Sequence, residues 1–161
     1  MEQLSTTLLH IISLDGNSKL PVTVAPYKPS RPHDFVTTKN ELEVALDGVP
    51  FVSIDRVGST SIPHLAAKPV LDIDVVVTRD QLHCVVEAHQ RPDLQLIYMG
   101  ELGIVDRHAF RAPQRVPVRN LYVCIEGSTA LRNHLAVRDL LRSDEGLRRE
   151  YGALKAELAA G

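Results

Sequence analysis

Apolar and polar positions alternate most clearly over residues 71–77, LDIDVVV, a run rich in Val and Ile that predicts a β-strand. Successive strand side chains point to opposite faces. Leu71, Ile73, Val75 and Val77 therefore share one face, and Asp72, Asp74 and Val76 share the other. Apolar runs at 20–27, 51–57, 95–99 and 120–125 predict further strands, the first ended by Pro26. Spacings of three and four predict helices elsewhere. Residues 33–46 place Phe35, Leu42, Val44, Ala45 and Leu46 as core candidates, with Asp47-Gly48 as the stop. A short helix is expected over 81–89, and Ser128 is a plausible N-cap for one running to Leu141, with Leu131, Leu135, Leu140 and Leu141 as its stripe. A last helix over 145–160 carries Leu147, Tyr151, Leu154 and Leu158. Residues 61–67 predict one or two helical turns, with Pro63 near the start and Pro69 ending them. The segment 100–113 reads as a charged loop or hairpin. Residues 8–12 fit a strand or a short helix equally well.

Bulk properties narrow the class. The chain has 161 residues, enough for one domain with a real core, and 44% apolar and 24% charged residues, an ordinary globular balance. A net charge of −2 advertises neither a nucleic-acid nor a membrane partner. The lack of Trp and the low aromatic content argue against a base-stacking surface. Cys84 and Cys124 lie far apart, outside any Cys-x-x-Cys, and read as reduced core residues of a cytoplasmic protein. No run approaches the length of a membrane span, and no signal peptide is indicated at the N-terminus.

The candidate chemistry lies in residues 56–78. Asp72 and Asp74 are next neighbours on one strand face, about 7 Å apart along the strand. Two carboxylates that close resist ionising together unless a cation or donor sits between them. Strands disfavour Asp, so the pair is either a site or a solvated face in an otherwise apolar run. Hard oxygens of this kind suit Mg²⁺, which usually binds one or two carboxylates together with substrate phosphates. Upstream, Gly58 allows close backbone approach, and Ser59, Thr60 and Ser61 offer hydroxyls and N–H groups near an expected helix start. Lys68 could balance the carboxylates, reach a phosphate, or stand as an ordinary surface lysine. Arg107, His108 and Arg111 could grip phosphates or form a solvated hairpin. His134 and Arg138, four apart, share a helix face.

Gly58-Ser59, a twelve-residue spacer and Asp72-x-Asp74 together resemble the signature of the nucleotidyltransferase superfamily, the polymerase-β-like fold. The fuller string GSTSIP-x-LAAKP-x-x-DI-x-V resembles the GrpB family of bacterial proteins within that superfamily. Gly100-Glu101 with Arg107-x-x-Phe110-Arg111, the Asn120-Leu121 strand, and Arg132-x-His134-Leu135-x-x-Arg138-Asp139 extend the likeness. The chain departs from the family where Lys28 and Arg31 replace an acid and a Trp, His64 replaces a Gly and Tyr122 replaces a His. If the backbone at 64 needs positive φ, His adopts it at some cost.

The resemblance and the order of elements imply an α/β (α+β) domain over 20–161 after an extension of 1–19. Its sheet would be nucleotidyltransferase-like, mixed and mainly antiparallel, with helices packed largely on one face. The resemblance also implies an activity, the transfer of a nucleotidyl group from a nucleoside triphosphate to a small hydroxyl or amine acceptor. Asp72 and Asp74 would be the catalytic pair, holding Mg²⁺ (or Mn²⁺). Gly58, Ser59, Thr60, Ser61, Lys68, Arg111, His134 and Arg138 would bind the phosphates and nucleotide. Active superfamily members usually carry a third carboxylate on a neighbouring strand. The 120–125 strand has none, which leaves Glu126, Glu101 and Asp106 as candidates. The alternative is a module that binds a nucleotide or another phosphorylated ligand without turning it over, with a link to coenzyme A suggested by fusions of GrpB-like domains to dephospho-CoA kinase.

Overall fold

The computed structural model describes residues 23–160. The extension 1–19, the element expected at 8–12 and the start of the strand expected at 20–27 lie outside them. Of that strand, the described part forms a single bridge, Ala25 to Ala67.

Five strands form one sheet: β1 (Ser53–Val57), β2 (Leu71–Val77), β3 (Ile97–Gly100), β4 (Arg107–Ala112) and β5 (Arg119–Ile125). Their order is β1-β2-β5-β4-β3. Only β2 and β5 run parallel; the other neighbours are antiparallel. The sheet is mixed and mainly antiparallel, as expected. Four α-helices complete the described fold: α1 (Arg31–Ala45), α2 (Leu82–His89), α3 (Thr129–Ser143) and α4 (Glu145–Ala160).

The alternation in β2 divides the sheet. On the apolar face Ile73, Val75 and Val77 meet Leu121, Val123 and Phe110, and this surface packs on Leu42 and Leu46 at the end of α1 and Val85 of α2. Full burial of each such side chain stabilises by about 1.5–3 kcal/mol, so this layer fixes the register of β2. On the opposite face Val76 and Cys124 form a small apolar patch that Leu131 and Leu135 of α3 cover. Helices therefore pack on both faces, not largely on one, because the Asp-bearing face also has an apolar end that must be buried.

The helix stripes are narrower than the sequence suggests. Val44 is 77% exposed, Leu140 43% and Leu158 51%. Leu42, Ala45 and Leu46 already fill the α1 contact at spacings of three and four. Residues 62–67 are not helical. A 3₁₀ turn occupies Ser59–Ser61, and Ile62 is already extended at φ −104°, ψ 116°. That path buries Ile62 and Leu65 against Leu141 and Tyr151 of the last two helices. His64 adopts φ 65°, and its ring lies 5.7 Å from that of Tyr27. The charged 100–113 segment contains β4, whose arginines conceal a strand in the sequence. The last helix spans the expected residues. Among the described residues, no helix is long and apolar enough to cross a membrane.

Candidate functional site

Residues paired directly across neighbouring strands project from the same face of a sheet. Asp55 of β1 pairs with Asp74, and on the other side Asp72 pairs with Asn120 and Asp74 with Tyr122 of β5. Asn120 continues to Arg111, and Cys124 to Arg107, both on β4. One face therefore carries Asp55, Asp72, Asp74, Asn120, Tyr122, Arg107 and Arg111. Asp55 is a third acid on this face, carried by β1 and not by β5. Its signal was the alternation of Ser53-Ile54-Asp55 in the strand that leads into the glycine turn. The three acids expected from the sequence lie elsewhere. Asp106 pairs with Arg79 at 3.2 Å, Glu101 accepts from the Asp106 amide at 3.0 Å, and Glu126 is exposed past the end of β5.

The turn at Gly58 is pressed against Asp72. Gly58 has φ 71°, ψ −179°, and a Cβ added there would lie 2.4 Å from Asp72 Oδ2. Glycine is required twice over, for the backbone conformation and for the space. The turn is tied from behind. Ser61 Oγ donates to the Gly58 carbonyl at 2.6 Å, the Arg56 guanidinium donates to the Thr60 carbonyl, and Arg142 Nε donates to the Ser61 carbonyl at 3.0 Å. Thr60 and Ser61 are buried, so their side chains belong to the scaffold of the turn. Ser59 differs, because Lys155 Nζ of α4 donates to its Oγ at 2.6 Å. Lys155 was not singled out from the sequence. The available signal was its place four residues after Tyr151, a core position on the same helix face.

The carboxylates sit in different environments. Asp72 is half-buried and its Oδ1 accepts from Asn120 Nδ2 at 3.1 Å. Asp74 is fully buried, and its two oxygens lie 3.0 and 2.9 Å from His134 Nδ1. Burial pushes the Asp74 carboxyl above the usual carboxylate range, and the hydrogen bond and charge of His134 oppose that shift. Asp55 Oδ2 accepts from Ser53 Oγ at 2.7 Å, and its Oδ1 is 3.9 Å from Arg138 Nη1.

His134, Arg138 and Arg142 recur every four residues along α3 and form one basic stripe. Each touches a different part of the motif: Asp74, the Arg56 carbonyl at 3.2 Å, and the Ser61 carbonyl. Arg111 is exposed in the row Asp72–Asn120–Arg111. Lys68 is half-buried in the connection just before β2. Arg107 is buried, its guanidinium 4.9 Å from the centre of the Tyr122 ring, and strand alternation sends His108 to the other face, where Nδ1 meets the Tyr98 hydroxyl at 2.7 Å. Three carboxylates on one face are hard oxygen donors, the ligand type that Mg²⁺ and Mn²⁺ take. With the Asp74 oxygens on His134, Asp72 is the donor at the rim, beside the turn.

Comparison with known proteins bears on the family and the fold. The sequence profile described as GrpB protein matches residues 21–161. The chain is 31% identical over 147 residues to UPF0157 protein YqkA of Bacillus subtilis, covering 88% of this chain and 41% of the relative. It is 30% identical over 142 residues to UPF0157 protein BH1888 of Halalkalibacterium halodurans, covering 86% of this chain and 69% of that protein. The chain thus spans less than half the length of the Bacillus relative. A solved structure described as conserved protein GrpB from Enterococcus faecalis superposes with a TM-score of 0.76 at 28% identity, covering 86% of this chain and 83% of that one.

Proposed function

Since the chain belongs to the GrpB family, we propose that its Asp-bearing face and Gly58 turn form a Mg²⁺-dependent site for a nucleotide. One observation carries the reading: a rim carboxylate and a cationic anchor flank the same glycine. Asp72 Oδ2 packs on Gly58, and Lys155 holds the neighbouring Ser59 hydroxyl. Mg²⁺ (or Mn²⁺), when bound, would be held by Asp72 and would neutralise charge on the phosphates. Asp74, its oxygens on His134, backs this site from the buried side. Ser59 Oγ and Lys155 Nζ hold phosphate oxygens, and Arg111 and Arg138 supply further positive charge from either side. Thr60 and Ser61 shape the turn, and Lys68 adds charge at the entry to β2.

Asp55 favours a second reading, nucleotidyl transfer to a small acceptor. As an acid on the strand beside Asp74, it supplies the base that the family pattern on β5 lacks. Asp55 would take the proton from an acceptor hydroxyl or amine as that group forms a bond to the α-phosphorus, with pyrophosphate leaving on the opposite side.

Purified protein is titrated with fluorescent nucleoside triphosphates and with coenzyme A, with and without Mg²⁺, and then incubated with hydroxyl and amine acceptors while pyrophosphate is measured. Mg²⁺-dependent nucleotide binding that weakens at least tenfold in both Asp72→Asn and Lys155→Ala supports the site. Pyrophosphate release that Asp55→Asn abolishes without loss of binding supports transfer. Binding that ignores both Mg²⁺ and Asp72→Asn overturns the proposal.

A further inference from the structure

Behind the rim, a second donor set converges. One carboxylate oxygen of Asp74, the thiol sulfur of Cys124 and a ring nitrogen of His134 all lie within 4.8 Å of one another. They come from β2, β5 and α3, distant in sequence, and are joined by the parallel β2–β5 pair and by the seating of α3 through Leu131 on Val76 and Cys124. Asp74 and Cys124 are fully buried, and the His134 side chain is 25% exposed, so the set opens to solvent on the histidine side. We infer that Asp74, Cys124 and His134 bind a borderline-soft divalent cation of the Zn²⁺ class, distinct from the hard ion assigned to Asp72.

The chemistry of the donors selects the ion. Carboxylate, thiolate and imidazole together suit Zn²⁺ and Co²⁺, whereas Mg²⁺ takes oxygen ligands. Charge also balances. One carboxylate and one thiolate offset a 2+ ion, and a neutral imidazole adds none, so the occupied centre is neutral and suits an interior position. Tetrahedral coordination with bonds of about 2.0–2.3 Å places donors roughly 3.3–3.8 Å apart, within reach of rotations about the side-chain bonds of His134 and Asp74. Without the ion, burial and the neighbouring Asp74 carboxylate keep the Cys124 thiol protonated. On binding, the thiol proton leaves to solvent as the sulfur–metal bond forms, and the proton between Asp74 and His134 Nδ1 passes to Nε2, which frees the Nδ1 lone pair for the metal and keeps the imidazole neutral. Three protein ligands leave a fourth position for water on the exposed side.

Metal-free protein is titrated with Co²⁺ and followed by absorption. The expected result is a thiolate-to-cobalt charge-transfer band with the intense visible bands of four-coordinate Co²⁺, saturating at one ion per chain and bleached by one equivalent of Zn²⁺. Cys124→Ser, a near-isosteric change, loses the charge-transfer band, and His134→Gln weakens Co²⁺ binding at least tenfold. Cys84→Ser and Asp72→Asn retain the band. This last variant separates the inference from the nucleotide reading, since it removes the rim ligand and leaves the inner set intact. Absence of the band in folded wild-type protein, or its persistence in Cys124→Ser, overturns the inference and leaves an Asp–His pair with a buried thiol beside it.

Discussion

Replacing Gly58 with Ala tests the turn at its most constrained point. The backbone there, φ 71° and ψ −179°, lies in a region that only glycine occupies readily. Holding an L-residue in such a conformation costs on the order of 1–3 kcal/mol. The new methyl would also stand 2.4 Å from Asp72 Oδ2 and 2.8 Å from its Cβ, so the carboxylate must move. Moving it weakens the Asn120 hydrogen bond, a bond to a charged group worth about 1.5 kcal/mol or more. The expected destabilisation is about 3 kcal/mol, which for a domain of this size lowers Tm by roughly 6–12 °C. Urea unfolding and calorimetry read both quantities. The carboxylate's share is isolated by repeating Gly58→Ala in an Asp72→Ala background, which removes the Oδ2 contact but keeps the 2.8 Å approach to the Cβ and the backbone strain. The penalty should fall by at least about 1 kcal/mol in that background. An unchanged penalty would show that the Asp72 carboxylate does not press on the turn. A Gly58→Ala protein as stable as the wild type would refute the conformation of the turn itself.

Other expectations follow from groups around the core. His89 is fully buried, its Nδ1 donating to the Val85 carbonyl at 2.7 Å, and burial pushes its pKa down. The folded state therefore binds protons less readily than the unfolded chain, so stability is present above about pH 6.5 and is lost as pH falls toward the depressed value. The wild-type slope between pH 7 and 5 should flatten in His89→Leu, and equal slopes in denaturant titrations would count against the assignment. Thr60 Oγ1 is buried with no hydrogen-bond partner among the described residues. Thr60→Val should therefore stabilise the protein by about 1 kcal/mol, and a loss of stability would reveal a partner for the hydroxyl. Ser128 Oγ accepts from the Leu131 amide at 3.3 Å, so Ser128→Ala should cost about 1 kcal/mol as a lost helix cap, measurable by urea unfolding.

The chain's local patterns determined much by themselves. Period-two alternation set which side of β2 carries Asp72 and Asp74, because a strand has only two faces. Gly58-Ser59 located the turn, and the Ser128 cap and the run into 145–160 located the last two helices, because caps and periodicity act within a few residues. Strand pairing and helix docking decided the rest. Asp55 became a third acid only because β1 lies antiparallel to β2 with Asp55 opposite Asp74. Lys155, nearly a hundred residues after the turn, reaches Ser59 only because α4 packs on Leu65 through Tyr151. The same docking holds residues 62–67 in a bend and a turn in place of the expected helix, and the seating of α3 closed His134 over Asp74. Such contacts join positions far apart in sequence through side-chain packing, and no local period encodes which distant surfaces will meet.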